Sequence, residues 1–85
     1  MMRPHVFVQR TIKLAGHSVT QASLKLGIGR TALSSVLNGK ASISISLALK
    51  LEKVYGIKAD ILLVVQLEND IQRERLREYG KSKNI

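Results

Sequence analysis

The chain has 85 residues, 45% of them hydrophobic, and a formal net charge of +8 from 14 Lys and Arg against 6 Asp and Glu. That length supports one small domain with a modest core. The absence of cysteine excludes disulfides and Cys-ligated zinc, and the longest apolar run, Ile61–Val65, is far too short to span a membrane.

Pro4 suits the first turn of a helix, where its missing N–H costs nothing. The spacing predicts a first helix to about Ala15, burying Phe7, Thr11 and Leu14 on one face and ended by Gly16. Ser18 with Gln21 three residues on forms a capping box, which predicts a second helix to about Leu26. Gly27 stops it, because a tight exit from a helix favours positive φ. A third helix is predicted from Arg30 to just before Asn38-Gly39, another C-terminal stop signal. Ser23, Ile28, Leu33 and Val36 fall where two crossed helices must bury small or apolar groups. Ser44 caps a fourth helix over Ile45–Tyr55, with Gly56 past its end and Leu47, Ala48, Leu51 and Val54 on its inner side. The alternation Ile43-Ser44-Ile45-Ser46 resembles a strand but is too short to outweigh that helix. Asp60 opens a fifth helix reaching Tyr79. The expected architecture is all-α, with five helices in one domain over 1–80 and a flexible polar tail over 81–85.

Residues 18–39 then read as a helix-turn-helix unit, two short helices joined tightly so that the second enters the DNA major groove. The charge distribution agrees. Residues 1–51 hold seven of the basic side chains and no acid, so the net positive charge lies almost wholly on the half that carries this unit. In the fifth helix the five consecutive apolar residues Ile61–Val65 point almost all the way round. A small core covers only part of that circumference, so a second copy of the chain is expected to cover the rest, with Leu62 and Val65 at the dimer interface. A buried β-strand and a deeply buried helix remain as other readings of the run.

The segment LGIGRTALSSVLNGKASIS followed by ALKLEKVYGI resembles the Cro/C1-type (XRE), lambda repressor-like helix-turn-helix family. Within it the chain is most similar to the HigA (VapI-like) antitoxins. The similarity rests on the Arg-Thr start and Leu-Asn-Gly-Lys end of the third helix, and on the Ser-capped fourth helix with Ala-Leu-Lys-Leu. Past Gly56 it continues in the apolar run leading to Gln66 and then Asn69-Asp70-Ile71. The resemblance implies an antitoxin of a type II toxin-antitoxin module. Such a protein neutralises a RelE-like, mRNA-cleaving toxin of the HigB type and represses its own operon. The alternative is a stand-alone or prophage repressor of the same family with no toxin partner. Either would be a homodimer on a palindromic operator in double-stranded DNA, with half-sites about one helical turn, ~34 Å, apart. With no signal-peptide run at Met1–Phe7, a cytoplasmic location is expected.

Gly29, Arg30, Thr31, Ala32, Ser34 and Ser35 are the candidates for base reading, with Leu33, Val36 and Leu37 facing inward. The Arg30 fork matches guanine O6 and N7, although a phosphate contact is an equal reading. Thr31 offers a methyl to thymine or a hydroxyl to phosphate, and Ala32 permits close approach to a thymine methyl. Ser34 and Ser35 are short, so part of the specificity would rest on water or DNA shape. Phosphate contacts are assigned to the backbone N–H groups near Val19 and Thr20, to Gln21, and to Asn38 and Lys40. Gln21 serves equally well as the partner in its capping box. Lys13 and Lys25 read as solvated lysines. His5 and His17 have no acid nearby, and no nucleophile–base set or phosphate-cradling glycine loop is visible. No enzymatic activity, cofactor or metal is therefore expected. Glu68, Asp70, Glu74 and Glu78 alternate with Arg73, Arg75 and Arg77 as charge support along a solvated helix. Phe7, Tyr55 and Tyr79, the only aromatics, make no platform for stacking RNA bases.

Overall fold

The structure, a computed structural model, describes the backbone of residues 3–83 and the side chains of residues 3–79. Its elements are α1 (Pro4–Leu14), α2 (Val19–Leu26), α3 (Arg30–Leu37), α4 (Ile45–Tyr55) and α5 (Ala59–Lys83). Among the described residues there is no strand, and the fold is all-α. Ile43 is not part of a strand; its side chain is buried in the helical core.

Local chemistry sets most helix ends. The Ser18 hydroxyl accepts from the Gln21 N–H at 3.1 Å, and the Gln21 carbonyl accepts from the Ser18 N–H at 2.9 Å. The capping box is closed in both directions, so α2 starts with two of its otherwise free donors satisfied. Gly27 leaves α2 at φ 68°, in the left-handed region that a side chain would strain. Ser44 caps α4 by accepting from the Leu47 N–H at 3.1 Å. The start of α5 is capped from outside: the Glu52 carboxylate of α4 accepts from the Ala59 N–H at 3.2 Å.

The core joins Val8 and Ile12 of α1, Ala22 and Leu26 of α2, Leu33, Val36 and Leu37 of α3, and Leu47, Ala48 and Leu51 of α4. Ile43, Ile57, Ala59 and Leu62 complete it. The buried stripe of α1 differs from the one expected. Pro4, Val8 and Ile12 face inward, while Phe7 lies at the edge, Thr11 is half-buried and Leu14 is 83% exposed. Helix α1 carries apolar residues on two adjoining faces, and its packing against α3 and α5 selects the β-branched pair. The Thr11 hydroxyl instead donates back to the Phe7 carbonyl at 2.9 Å. Val54 likewise sits at the rim rather than in the core.

Helix α5 packs against α4 and α1 through its first part and then runs past them, which gives the molecule dimensions of 50 × 23 × 21 Å. It is helical through Lys83, four residues beyond the expected end at Tyr79, so residues 81–83 of the expected loose tail have helical backbone. Residues 84 and 85 of that tail lie outside the described residues. Its charge support runs at i,i+3, as Asp70–Arg73 at 3.4 Å and Glu74–Arg77 at 3.2 Å. Exposed pairs of this kind contribute little to stability.

Two side-chain ties fix the connecting segments. His17 Nδ1 and the Tyr55 hydroxyl are 2.9 Å apart with the rings edge to face, joining the α1–α2 turn to the end of α4. Burial pushes the Tyr55 hydroxyl above its ordinary pKa. Gln66 of α5 makes two hydrogen bonds to one residue of the α3–α4 loop: its carbonyl accepts from the Ile43 N–H at 2.7 Å, and its amide donates to the Ile43 carbonyl at 2.9 Å.

Candidate nucleic-acid interface

Helix α3 presents one face to the core and the other to solvent. Leu33, Val36 and Leu37 are buried, whereas Gly29, Arg30, Thr31 and Ala32 are exposed and Ser34 and Ser35 are half-buried. Thr31 and Ser35 lie one turn apart and roughly opposite Leu33 and Leu37 at helical spacing, which makes them the centre line of the outward face. Arg30 is on its flank at the first turn. Its guanidinium has no ion pair or hydrogen bond within the described protein, so it is free to engage an external acceptor.

The start of α3 has no side-chain cap, in contrast to α2 and α4. Gly29, the N-cap residue, has φ −67° and ψ 145°, which any residue adopts, and a Cβ there would meet nothing within 4 Å. Neither backbone conformation nor packing inside the chain calls for glycine at this position. The effect of having one is that the first backbone N–H groups of α3 stay unblocked at an end that carries partial positive charge.

The start of α2 is the other helix N-terminus of the same unit. Val19 is half-buried against the core, and Thr20 and Gln21 are exposed. Gln21 uses its carbonyl for the capping box, so of the two roles expected for it the structural one is present. That bond engages only the oxygen and leaves the amide nitrogen as a donor. Ser23 is buried at 4% exposure, and its hydroxyl donates to the Thr20 carbonyl at 2.8 Å, so a polar residue sits at the α2–α3 crossing without an unsatisfied group.

At the far end of α3, Asn38 and Lys40 are exposed. The Asn38 amide reaches the Ser34 hydroxyl only at 3.5 Å, the limit of a hydrogen bond. The loop that carries Lys40 is held by its backbone: the Lys40 and Ala41 N–H groups both donate to the Ser35 carbonyl, at 2.9 and 3.2 Å. Gly39 turns the chain at φ 76° directly over His5 of α1, where a Cβ would approach the imidazole Nε2 to 3.1 Å. The exposed residues 29–32 and the α2 start thus belong to the two-helix unit, and the 38–42 loop follows directly from its second helix.

A helix-turn-helix family model matches residues 8–62, from the middle of α1 to the first turn of α5. The chain belongs to the helix-turn-helix family. Five helices in this order, without a strand among the described residues, give it the Cro/C1-type form of that fold. This helix-turn-helix chain is also similar in structure to an addiction module antidote protein of the HigA family from Coxiella burnetii. The two are 28% identical, the match covers 95% of this chain and 88% of that one, and the TM-score is 0.77. No curated protein matches the sequence. No described helix of this family member is long and apolar enough to cross a membrane. No group of three or more His, Cys, Asp or Glu among the described residues is placed to hold a metal ion.

The expected dimer contacts divide. Leu62 is 4% exposed and packs in the protomer's own core, so it is not available to a second chain, which corrects that part of the expectation. The reason is rotational: among five consecutive apolar residues, packing on α4 and α1 selects which one turns inward. Val65 is half-buried beside it, while Ile61 and Val64 are each 54% exposed. In the sequence Gln66 stands out only as a position shared with a family, with no bond implied. Its partner lies 23 residues away, so no local pattern reveals it.

Proposed function

We propose that this protein is the antitoxin of a type II toxin-antitoxin module, binding its own operator as a dimer and neutralising a small RelE-like, HigB-type ribonuclease. The observation that carries this reading is the similarity to the HigA-family antidote along nearly the whole chain, beyond the two-helix unit that every family member shares. The basic first half and the unobstructed start of α3 support the DNA-binding part.

In this reading α3 enters the major groove, with Arg30 and Thr31 reaching base edges and Ser34 and Ser35 contacting them directly or through water. Gly29 and Ala32 allow the backbone to come close. The α2 start at Val19 and Thr20, the Gln21 amide nitrogen, Asn38 and Lys40 anchor flanking phosphates. A palindromic operator would match the two-fold axis of the dimer.

A tagged pull-down from the native host, with co-purifying small proteins identified by mass spectrometry, tests the antitoxin role. A stoichiometric basic partner of the ribonuclease class is expected. Recovery of this chain with DNA alone would sink the antitoxin reading in favour of a stand-alone repressor.

The second copy is assigned to the outer face of α5, where Ile61, Val64, Leu67 and Ile71 recur at helical spacing and are all exposed. Val64→Lys is expected to give a folded monomer in sedimentation. A dimer that survives this substitution would place the interface elsewhere. Leu62→Lys is a poorer probe, because it buries a charge in the protomer core and unfolds the chain.

A further inference from the structure

The loop between α3 and α4 is tied to α1 and α5, two of the three helices that lie outside the two-helix unit. Near its start, Gly39 rests against His5 of α1. Towards its other end, Ile43 makes both of its backbone hydrogen bonds to the Gln66 amide of α5, donating one and accepting the other. Between these ties lie Lys40, Ala41 and Ser42, all exposed.

The Gln66 amide offers one acceptor and one donor to the N–H and C=O of a single residue. Two bonds at 2.7 and 2.9 Å fix the direction of that peptide segment as well as its position, as a neighbouring strand would. Gln66 and Ile43 are partly shielded from water, so solvent competes less for these groups. Apart from the Gln66 bonds, the backbone ties of the loop lead to Ser34, Ser35 and Val36 at the end of α3 and stop at Ala41. Gln66 therefore anchors the half of the loop that α3 does not reach.

We propose that Gln66 is a positioning residue for DNA binding, acting through the 39–43 loop to hold Lys40 against a phosphate without touching DNA itself. The proposal rests on the reading of Lys40 as a phosphate contact. A loop free to move would leave Lys40 charged and attracted to DNA, but would spread its ammonium over many positions, so that fewer counterions are released in the complex.

The test measures affinity for a random-sequence duplex as a function of salt, using the full chain and the variants Lys40→Ala, Gln66→Met and the double variant. Lys40→Ala should reduce the salt slope by about 0.9, the value for one phosphate. Gln66→Met should reduce it by a similar amount at unchanged net charge, and the double variant should lose no more than Lys40→Ala alone. A loss of stability with an intact loop would not produce this shared slope. Two results would overturn the proposal: an unchanged slope in Gln66→Met, or losses that add in the double variant. An unchanged slope in Lys40→Ala would instead remove the phosphate contact on which the proposal rests. If the Met variant does not fold, Gln66→Ala leaves room for water to satisfy Ile43, and the same slopes decide the matter.

Discussion

Replacing Leu33 by Ala is expected to lower the free energy of unfolding by about 2–5 kcal/mol, the cost of removing a buried leucine side chain and leaving a cavity. Leu33 has no exposed surface, and its helix packs against α2 and α1. Every element around it is short: α2 and α3 have eight residues each, too few to hold a helix without tertiary support. The surroundings are therefore poorly able to collapse onto the cavity without moving α3. A domain of this size has a stability of roughly 4–13 kcal/mol, so the substitution removes a large fraction of it. Urea unfolding followed by circular dichroism would measure the change, with Thr31→Ala as the control. Thr31 is on the opposite side of the same helix and exposed, and its removal should stay within about 0.5 kcal/mol. A cost below about 1 kcal/mol for Leu33→Ala would mean that α3 is held by something other than this packing.

The second large effect is on recognition. Arg30→Ala is expected to leave stability unchanged within about 0.5 kcal/mol, because the side chain is exposed and makes no ion pair or hydrogen bond within the described protein. It should nevertheless remove about 1–3 kcal/mol of discrimination at one base pair in each half-site, the worth of a bidentate contact to guanine. The operator is first selected from a random duplex pool with the wild-type chain. Binding of the variant to every single-base change of that operator then gives a profile. A profile that flattens at one position per half-site identifies Arg30 as a base reader. A uniform loss over all sequences, with a smaller salt slope, identifies it as a phosphate contact and shifts base reading to Thr31, Ser34 and Ser35.

These two outcomes would separate the inner and outer faces of a single two-turn helix, and both faces are legible in the amino-acid sequence. The signals are local. Ser18 and Gln21 satisfy one another within four residues, Gly27 must take positive φ, and Leu33, Val36 and Leu37 recur at the helical period. The same is true of Ser44 ahead of α4. Helix boundaries set by a cap or a glycine are therefore readable to within a residue or so.

Choices between near-equivalent faces are not readable. Helix α1 carries two adjacent apolar stripes, and nothing within eleven residues says whether Phe7 and Leu14 or Val8 and Ile12 turn inward. In α5 the same ambiguity puts Leu62 on an interface between copies, although it fills the protomer's own core. Hydrophobic periodicity identifies how much surface must be covered, not which neighbour covers it.

The five helices, the two-helix unit at 18–39 and the basic character of the half that carries it are all legible in the chain's residues before any packing is known. Each depends on residues within about one helical turn or on summed charge. Which stripes are buried follows from the packing of the helices on one another. The same packing brings Glu52 to the start of α5, His17 to Tyr55 and Gln66 to Ile43. Those contacts join residues 7, 38 and 23 positions apart, and hydrogen bonds over such distances are fixed by the packing of whole helices, to which no single turn of the chain contributes a signal.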